Sequence, residues 1–471
     1  MRPTTLTGAA RAAARGAEAL AGPWPRYALA PAADERRGLA RAWLALGVAA
    51  LVGSGLFSLL LVLARTPGIG RLLPGADFFH VALVVHVDLS VLVWFAAFAG
   101  MLWTAAGGAR WLPLARTAFA CTAVGLVAMV VAPFLDPGRP VMANYVPVIE
   151  SVTFLAGLGT FALGGALLVV RAIASPGPIG AALTPEGALR FGLLLAAVSA
   201  AIAFAALGGS LAGVPHDLSG KPYYEMLFWG PGHVLQFTWT LLLLVAWLWL
   251  AGASGAAVPM SPRLAALMFA IAFAPVLATP AIYGAWNVAE PEHQRMFTWL
   301  MRFGGGLAIP AVALAVIVGV ARAPRAGAAD RPLRAALGAS IALFSIGGLI
   351  GFLIQGSDVR VPAHYHGAIV GITLALMGAT YAVLPQLGYA APDSKLARWQ
   401  PWIYGAGQFL HIVGLVWSGG YGVQRKVAGA AQVLRTPQEV MGMGLMGFGG
   451  LVAIVGGLLF VVVVIRALRR R

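Results

Sequence analysis

Charge is scarce in this chain: only 10% of its 471 residues are Asp, Glu, Lys or Arg, while 60% are hydrophobic. Soluble domains carry about a quarter charged residues, so this composition excludes a water-soluble globular protein and predicts a chain whose surroundings are lipid. Cysteine is nearly absent. The single Cys121 excludes an internal disulfide, a zinc ribbon and a thiol pair. Long polar stretches are missing too, and no connection between apolar runs is long enough to fold as a domain. Any soluble partner domain must come from another chain. Acidic residues number 16 against 32 Lys and Arg, for a net charge of +16. An excess of that size would suit nucleic acid if it were clustered on one face. Its distribution along the chain argues for a different cause.

What the sequence has in abundance is span-length apolar runs. Twelve begin near residues 41, 77, 113, 145, 188, 226, 263, 294, 331, 362, 398 and 440, each able to cross a bilayer as a helix. The reading is therefore all-α: a polytopic bundle of twelve helices over residues 41–467, preceded by a tail at 1–40. That tail is rich in Ala and Arg and lacks a continuous apolar h-region, so a cytoplasmic segment is expected rather than a cleaved signal peptide. With the N-terminus cytoplasmic, the inner side carries 22 Lys and Arg against 6 acids, and the outer side 10 against 10. All of the excess sits on one side. The basic balance is the positive-inside signature, and it predicts both termini in the cytoplasm of a bacterial inner membrane and no nucleic-acid partner.

Histidines carry the chemistry. The second span, Phe78-Phe-His-Val-Ala-Leu-Val-Val-His-Val-Asp-Leu-Ser90, places His86 about 13 Å below its outer end. An imidazole at that depth is costly without a partner and is a functional candidate by default. His80 lies nearer the interface, where hydration suffices, and Asp88 either orients a ligand or is satisfied by a neighbouring helix. The sixth span opens Phe228-Trp-Gly-Pro-Gly-His233, and the seventh ends close to Glu290-Pro-Glu-His-Gln294. The tenth begins Val361-Pro-Ala-His-Tyr-His366. Residues two apart on a helix diverge by roughly 200°, so His364 and His366 cannot share one metal ion. They either serve two flat cofactors on opposite sides of the helix or line a cavity as polar residues. His86, His233, His293, His364 and His366 all fall in one outer layer. Over that layer runs Tyr421-Gly-Val-Gln-Arg-Lys426, whose basic pair suits anionic groups such as heme propionates, or is an ordinary solvated loop.

With those residues in place, the chain resembles subunit I of the heme-copper oxidase superfamily over nearly its whole length. Histidines fall on the second, sixth, seventh and tenth spans in the family's order. Pro362-Ala-His-Tyr-His366 with Met377-Gly-Ala-Thr-Tyr-Ala-Val-Leu-Pro385 is similar to the tenth helix of the B-type oxidases, and Arg425-Lys426 to the family's propionate-binding pair. The resemblance implies that His86 and His366 ligate a low-spin heme, taken as heme b, and that His364 ligates a high-spin heme. It implies a second metal, copper or non-heme iron, on His233 and His293. Glu292 beside His293 would complete a two-histidine, one-carboxylate set, with Glu290 as its rival.

Two departures from the oxygen reductases shape the expected function. The seventh-span His-His pair is replaced by Glu292-His293, and the tyrosine four residues after the sixth-span histidine is Phe237. The inner halves of the sixth and eighth spans, Leu241-Leu-Leu-Leu-Val-Ala246 and Gly304-Gly-Gly-Leu-Ala-Ile-Pro-Ala-Val-Ala-Leu314, offer no proton relay. Acids gather outside instead: Asp136, Glu150, Glu225, Glu290 and Glu292. The expectation is the catalytic subunit of a nitric oxide reductase, fed by an outer-side cytochrome c or copper-domain subunit. An oxygen reductase of the cytochrome c oxidase type and a non-catalytic membrane heme protein are the alternatives.

Overall fold

The computed structural model describes residues 24–68, 76–354, 356–428 and 432–470; residues 1–23 of the expected tail lie outside them. Among the described residues, eleven helices are long and apolar enough to cross a membrane: α1 (Glu35–Arg65), α2 (Phe78–Ala106), α3 (Leu112–Leu135), α4 (Val152–Ala174), α5 (Pro185–Gly213), α6 (Gly220–Ala253), α7 (Pro262–Ala285), α8 (Pro291–Arg322), α9 (Asp330–Phe352), α10 (Arg360–Gln386) and, after one more helix, α12 (Pro437–Arg469). The intervening α11 (Lys395–Gly419) is 25 residues long. Its Lys, Arg, Gln and His side chains lower its apolarity, yet it packs between α10 and α12 like the others. The chain is an integral membrane protein with the twelve-helix bundle that the apolar runs predict.

Sequence rules explain most boundaries. Side chains of Asp34, Ser151, Thr184, Ser261, Ser394 and Thr436 cap the N-termini of α1, α4, α5, α7, α11 and α12, and Thr436 forms a full capping box with Glu439. Each accepts from an amide the first turn cannot satisfy internally. Two boundaries differ from expectation. The seventh span ends at Ala285, so Glu292 and His293 open α8 instead of closing α7. The fourth span starts at Val152 rather than near residue 145, because Arg139–Val141 (β1) and Val148–Glu150 (β2) pair as an antiparallel hairpin before it. The hairpin carries Asn144 and Tyr145 at its tip.

Burial divides the bundle into centre and periphery. The apolar windows of α6 and α10 are each 89% buried, against 22% for α1. The two central helices are those that carry His233 and the His364/His366 pair. Three helices depart from α geometry beside this centre: α2 through a π segment at Asp88–Val93, α7 through a 3-10 turn at Ala274–Ala278, and α8 through a π segment at Leu300–Gly304. Pro275 accounts for the break in α7, whereas the π segment of α2 begins two residues past His86, a placement typical of functional sites.

The last two helices meet along glycines. A methyl group on Gly449 of α12 would strike the backbone nitrogen of His411 and the carbonyl oxygen of Gly407 on α11. Such small-residue contact lets two backbones touch in lipid. α11 is therefore held rigidly against α12.

Candidate functional site

Four of the five outer-layer histidines are fixed in the same way, by a hydrogen bond at Nδ1. His86 donates to the Ser54 carbonyl of α1 at 3.0 Å, with the Ser54 hydroxyl also 3.0 Å away. His364 donates to the Gly347 carbonyl of α9 at 2.7 Å, His233 to the Trp229 carbonyl one turn back on α6 at 2.7 Å, and His366 to the Gln408 amide oxygen of α11 at 3.2 Å. A carbonyl oxygen can only accept, so Nδ1 carries the proton and Nε2 keeps its lone pair. That is the tautomer a metal-ligating imidazole needs, supplied by neighbouring backbone and amide groups before any metal binds.

His86 and His366 sit close enough for their charges to interact. His364, two residues before His366, leans instead on α9. The two imidazoles of α10 thus leave opposite sides of one central helix, as their spacing requires. With Nδ1 engaged, His86 and His366 leave Nε2 for one of the porphyrins implied by the resemblance, and His364 leaves its own for the other.

The second-metal pair is less uniform. His293 is fully buried, and among the described residues neither ring nitrogen has a hydrogen-bond partner. Its ring meets Tyr283 at 4.8 Å and Phe297 at 5.0 Å, edge to face. A buried imidazole in this state is expensive unless a bound group satisfies it, and a metal ion would satisfy one of its two nitrogens. His233 also packs against Phe297, 6.2 Å between ring centroids. Its Nε2 is already engaged, because the Tyr145 hydroxyl from the hairpin tip lies 2.9 Å away. Burial raises the Tyr145 phenol well above its usual range, so the hydroxyl keeps its proton and donates to His233. Gly232 makes room for it, since a methyl group there would collide with the Tyr145 ring.

Glu292, expected as the carboxylate ligand, is not gathered with these two histidines. Its side chain is 43% exposed and paired with Arg295 at 3.2 Å, one turn along the same helix. Among the described residues no three His, Cys, Asp or Glu side chains converge tightly enough to hold one metal. The helix turns His293 inward and Glu292 outward. Glu290 is the carboxylate whose charge reaches His293.

The basic pair covers the same end of the bundle. Lys426 donates to the Met142 carbonyl at 2.6 Å and to Asn144 Oδ1 at 3.3 Å, and Asn144 in turn donates to Glu225 at 2.9 Å. Arg425 donates to the Ser357 hydroxyl at 3.1 Å and interacts with the Tyr365 hydroxyl. His80 lies 3.3 Å from the Lys426 carbonyl and edge to face with Phe79, 5.4 Å between ring centroids. Asp88 is 2% exposed with neither carboxylate oxygen hydrogen-bonded among the described residues.

Sequence reasoning missed Tyr145, Gln408 and His411. Tyr145 lies in a connection, and no helical register could place it over His233. His411, in contrast, was detectable by the rule that selected His86, since it is an imidazole deep within an apolar helix. Its ring centroid is 4.4 Å from that of His366, and its Nδ1 lies 2.9 Å from the Met446 carbonyl.

Comparison with known proteins identifies the family of the chain. An uncharacterized protein of Rickettsia prowazekii (strain Madrid E) is 26% identical over 494 aligned positions, covering 90% of this chain and 94% of that protein. An uncharacterized protein of Aquifex aeolicus (strain VF5) is 28% identical, covering 76% and 88%. A cryo-EM structure of a heme-copper terminal oxidase dimer shares the fold, with a TM-score of 0.71 over 93% of this chain and 85% of that one, at 16% identity. The sequence pattern of the cytochrome c and quinol oxidase polypeptide I family matches residues 38–459. The chain, with its histidines on α2, α6, α8 and α10, belongs to that family, subunit I of the heme-copper oxidases.

Proposed function

We propose that this oxidoreductase is the catalytic subunit of a nitric oxide reductase, converting two NO, two electrons and two protons to N2O and water. The observation that carries the reading is the inner part of α6. From Leu241 to Ala251 every residue is buried, and beyond His233 the helix has no ionisable side chain. The hydroxyls nearby are closed on local acceptors: Thr238 on Ser199 at 3.0 Å, and Ser340, which accepts from Trp247 at 2.8 Å, on the Gly371 carbonyl at 2.6 Å. Such packing offers protons no relay from the inner side. Glu290, Glu225 and Glu292 stand at the histidine end, taken as the outer side, where protons would be held for the reaction.

His86 and His366 ligate the low-spin heme in this reading, His364 the high-spin heme, and His233 with His293 the second metal, copper or non-heme iron. Bound there, these groups supply electron storage and an open iron position for a small gas. Ser54, Gln408 and Gly347 aim the imidazoles. Arg425 and Lys426 bind heme carboxylates, and the Tyr145 hydroxyl, which donates to His233 Nε2 in the structure, would give up that bond when a metal takes the lone pair. The family takes electrons from cytochrome c or quinol; an outer-side cytochrome c or copper-domain subunit is the donor consistent with the site's depth.

Oxygen reduction is the second reading, and Tyr145 favours it: a buried phenol beside a metal-ligand histidine is a hydrogen-atom source that Phe237 cannot provide. The purified complex, given NO and reductant without oxygen, should yield one N2O per two NO, with protons taken from the outer side of vesicles. Rapid oxygen consumption with negligible N2O formation, and protons drawn from the inner side, would replace the first reading with the second.

A further inference from the structure

The low-spin heme pocket holds three imidazoles where a bis-histidine heme uses two. His411, on α11, is buried at 7% exposure with its ring centroid 4.4 Å from that of His366 and the ring planes inclined at 55°. It is also within electrostatic range of His86. Its Nδ1–H donates to the Met446 carbonyl of α12 at 2.9 Å, so its Nε2 carries the lone pair. Among the described residues no hydrogen bond reaches that Nε2. A buried aromatic in this position could equally be leucine or phenylalanine, which would pack against His366 without the cost of an unpaired polar nitrogen.

Its mounting is as firm as that of the expected ligand. The Nδ1 contact to a backbone carbonyl at 2.9 Å is shorter than that of His366 to the Gln408 side chain at 3.2 Å. Gln408 and His411 are three residues apart on α11, so one helix face presents both the clamp on His366 and a further imidazole. α11 in turn cannot drift, because the backbones of Gly407 and Gly449 are in contact.

We infer that His411 is a reserve axial ligand of the low-spin heme: when the bond from iron to His366 Nε2 is broken or absent, a bond to His411 Nε2 forms in its place, with His86 retained on the opposite face. The inference rests on the proposed ligation by His86 and His366 and concerns the chain's own residues toward that heme.

Low-temperature EPR and near-infrared magnetic circular dichroism of the purified complex test it, with heme content measured in parallel. Wild-type protein shows a bis-imidazole low-spin signal; its absence defeats both the ligation reading and the inference. Given that signal, His366→Ala should keep a bis-imidazole low-spin heme with shifted g values. His366→Ala combined with His411→Ala should lower that signal by about tenfold or more. Conversion to high-spin heme, or heme loss, in His366→Ala alone overturns the inference while leaving the ligation reading intact. Should His366→Ala fail to assemble, His366→Gly prepared with imidazole and then dialysed decides: a low-spin heme that survives dialysis supports His411, and a high-spin heme rejects it.

Discussion

The Tyr145 hydroxyl stands 2.9 Å from Nε2 of His233, so the nitrogen expected to hold a metal is covered by a phenol from a hairpin tip. Metal and hydroxyl compete for one lone pair. Tyr145→Phe removes the competitor at the cost of one buried hydrogen bond, about 1 kcal/mol. It should lower the melting temperature slightly and leave or raise the second-metal content per heme, measured by elemental analysis. Loss of the metal in this variant would mean that the phenol supports ligation instead of opposing it.

His293 has the opposite problem, two buried nitrogens with nothing to bind. His293→Phe fills the space with an apolar ring and removes the unsatisfied groups. Protein prepared without the second metal should gain about 1–3 kcal/mol of stability from this change. Protein prepared with it should lose the metal and all gas reduction while both heme spectra persist.

Burial pulls the Lys426 ammonium down from 10.5 to about 8. Its folded value lies below its unfolded one, so the folded chain sheds this proton first, and the charge penalty it carries at neutral pH fades as pH rises through 8. Heme carboxylates pull the other way, since they need the charge. Heme transfer from the complex to an acceptor globin should therefore accelerate between pH 7 and 9, and Lys426→Arg should flatten that dependence.

Gly449→Val would drive a branched side chain into the backbone of α11 at Gly407 and His411. Overpacking of this kind costs roughly 1–3 kcal/mol. Because Gln408 rides on the same helix, the change should also broaden the EPR signal of the low-spin heme while leaving the His364 site spectroscopically unaltered.

The bundle was legible in the sequence because lipid permits few alternatives: runs of span length, capped by Ser, Thr and Asp, leave a helix as the only way to satisfy the backbone. The opposed directions of His364 and His366 followed from helix geometry alone. What the sequence hid depends on contacts between helices or with connections. Tyr145 lies beside His233 at the tip of the β1–β2 hairpin, and the outward turn of Glu292 follows from which face of the first turn of α8 packs on α6. The clamps on Nδ1 are backbone carbonyls at Ser54, Trp229 and Gly347, groups that every residue possesses and no residue type reveals.

The glycine seam between α11 and α12 has a consequence for biogenesis. α12 contributes no histidine, yet α11, which carries Gln408 and His411, has its most extensive packing and its backbone contact against it. A nascent chain released before Pro437–Arg469 has entered the bilayer possesses every proposed axial ligand and lacks one wall behind them. On the proposed ligation, cofactor loading at His366 would be deferred to the end of translation, and a chain truncated by its final helix should reach the membrane as an empty scaffold.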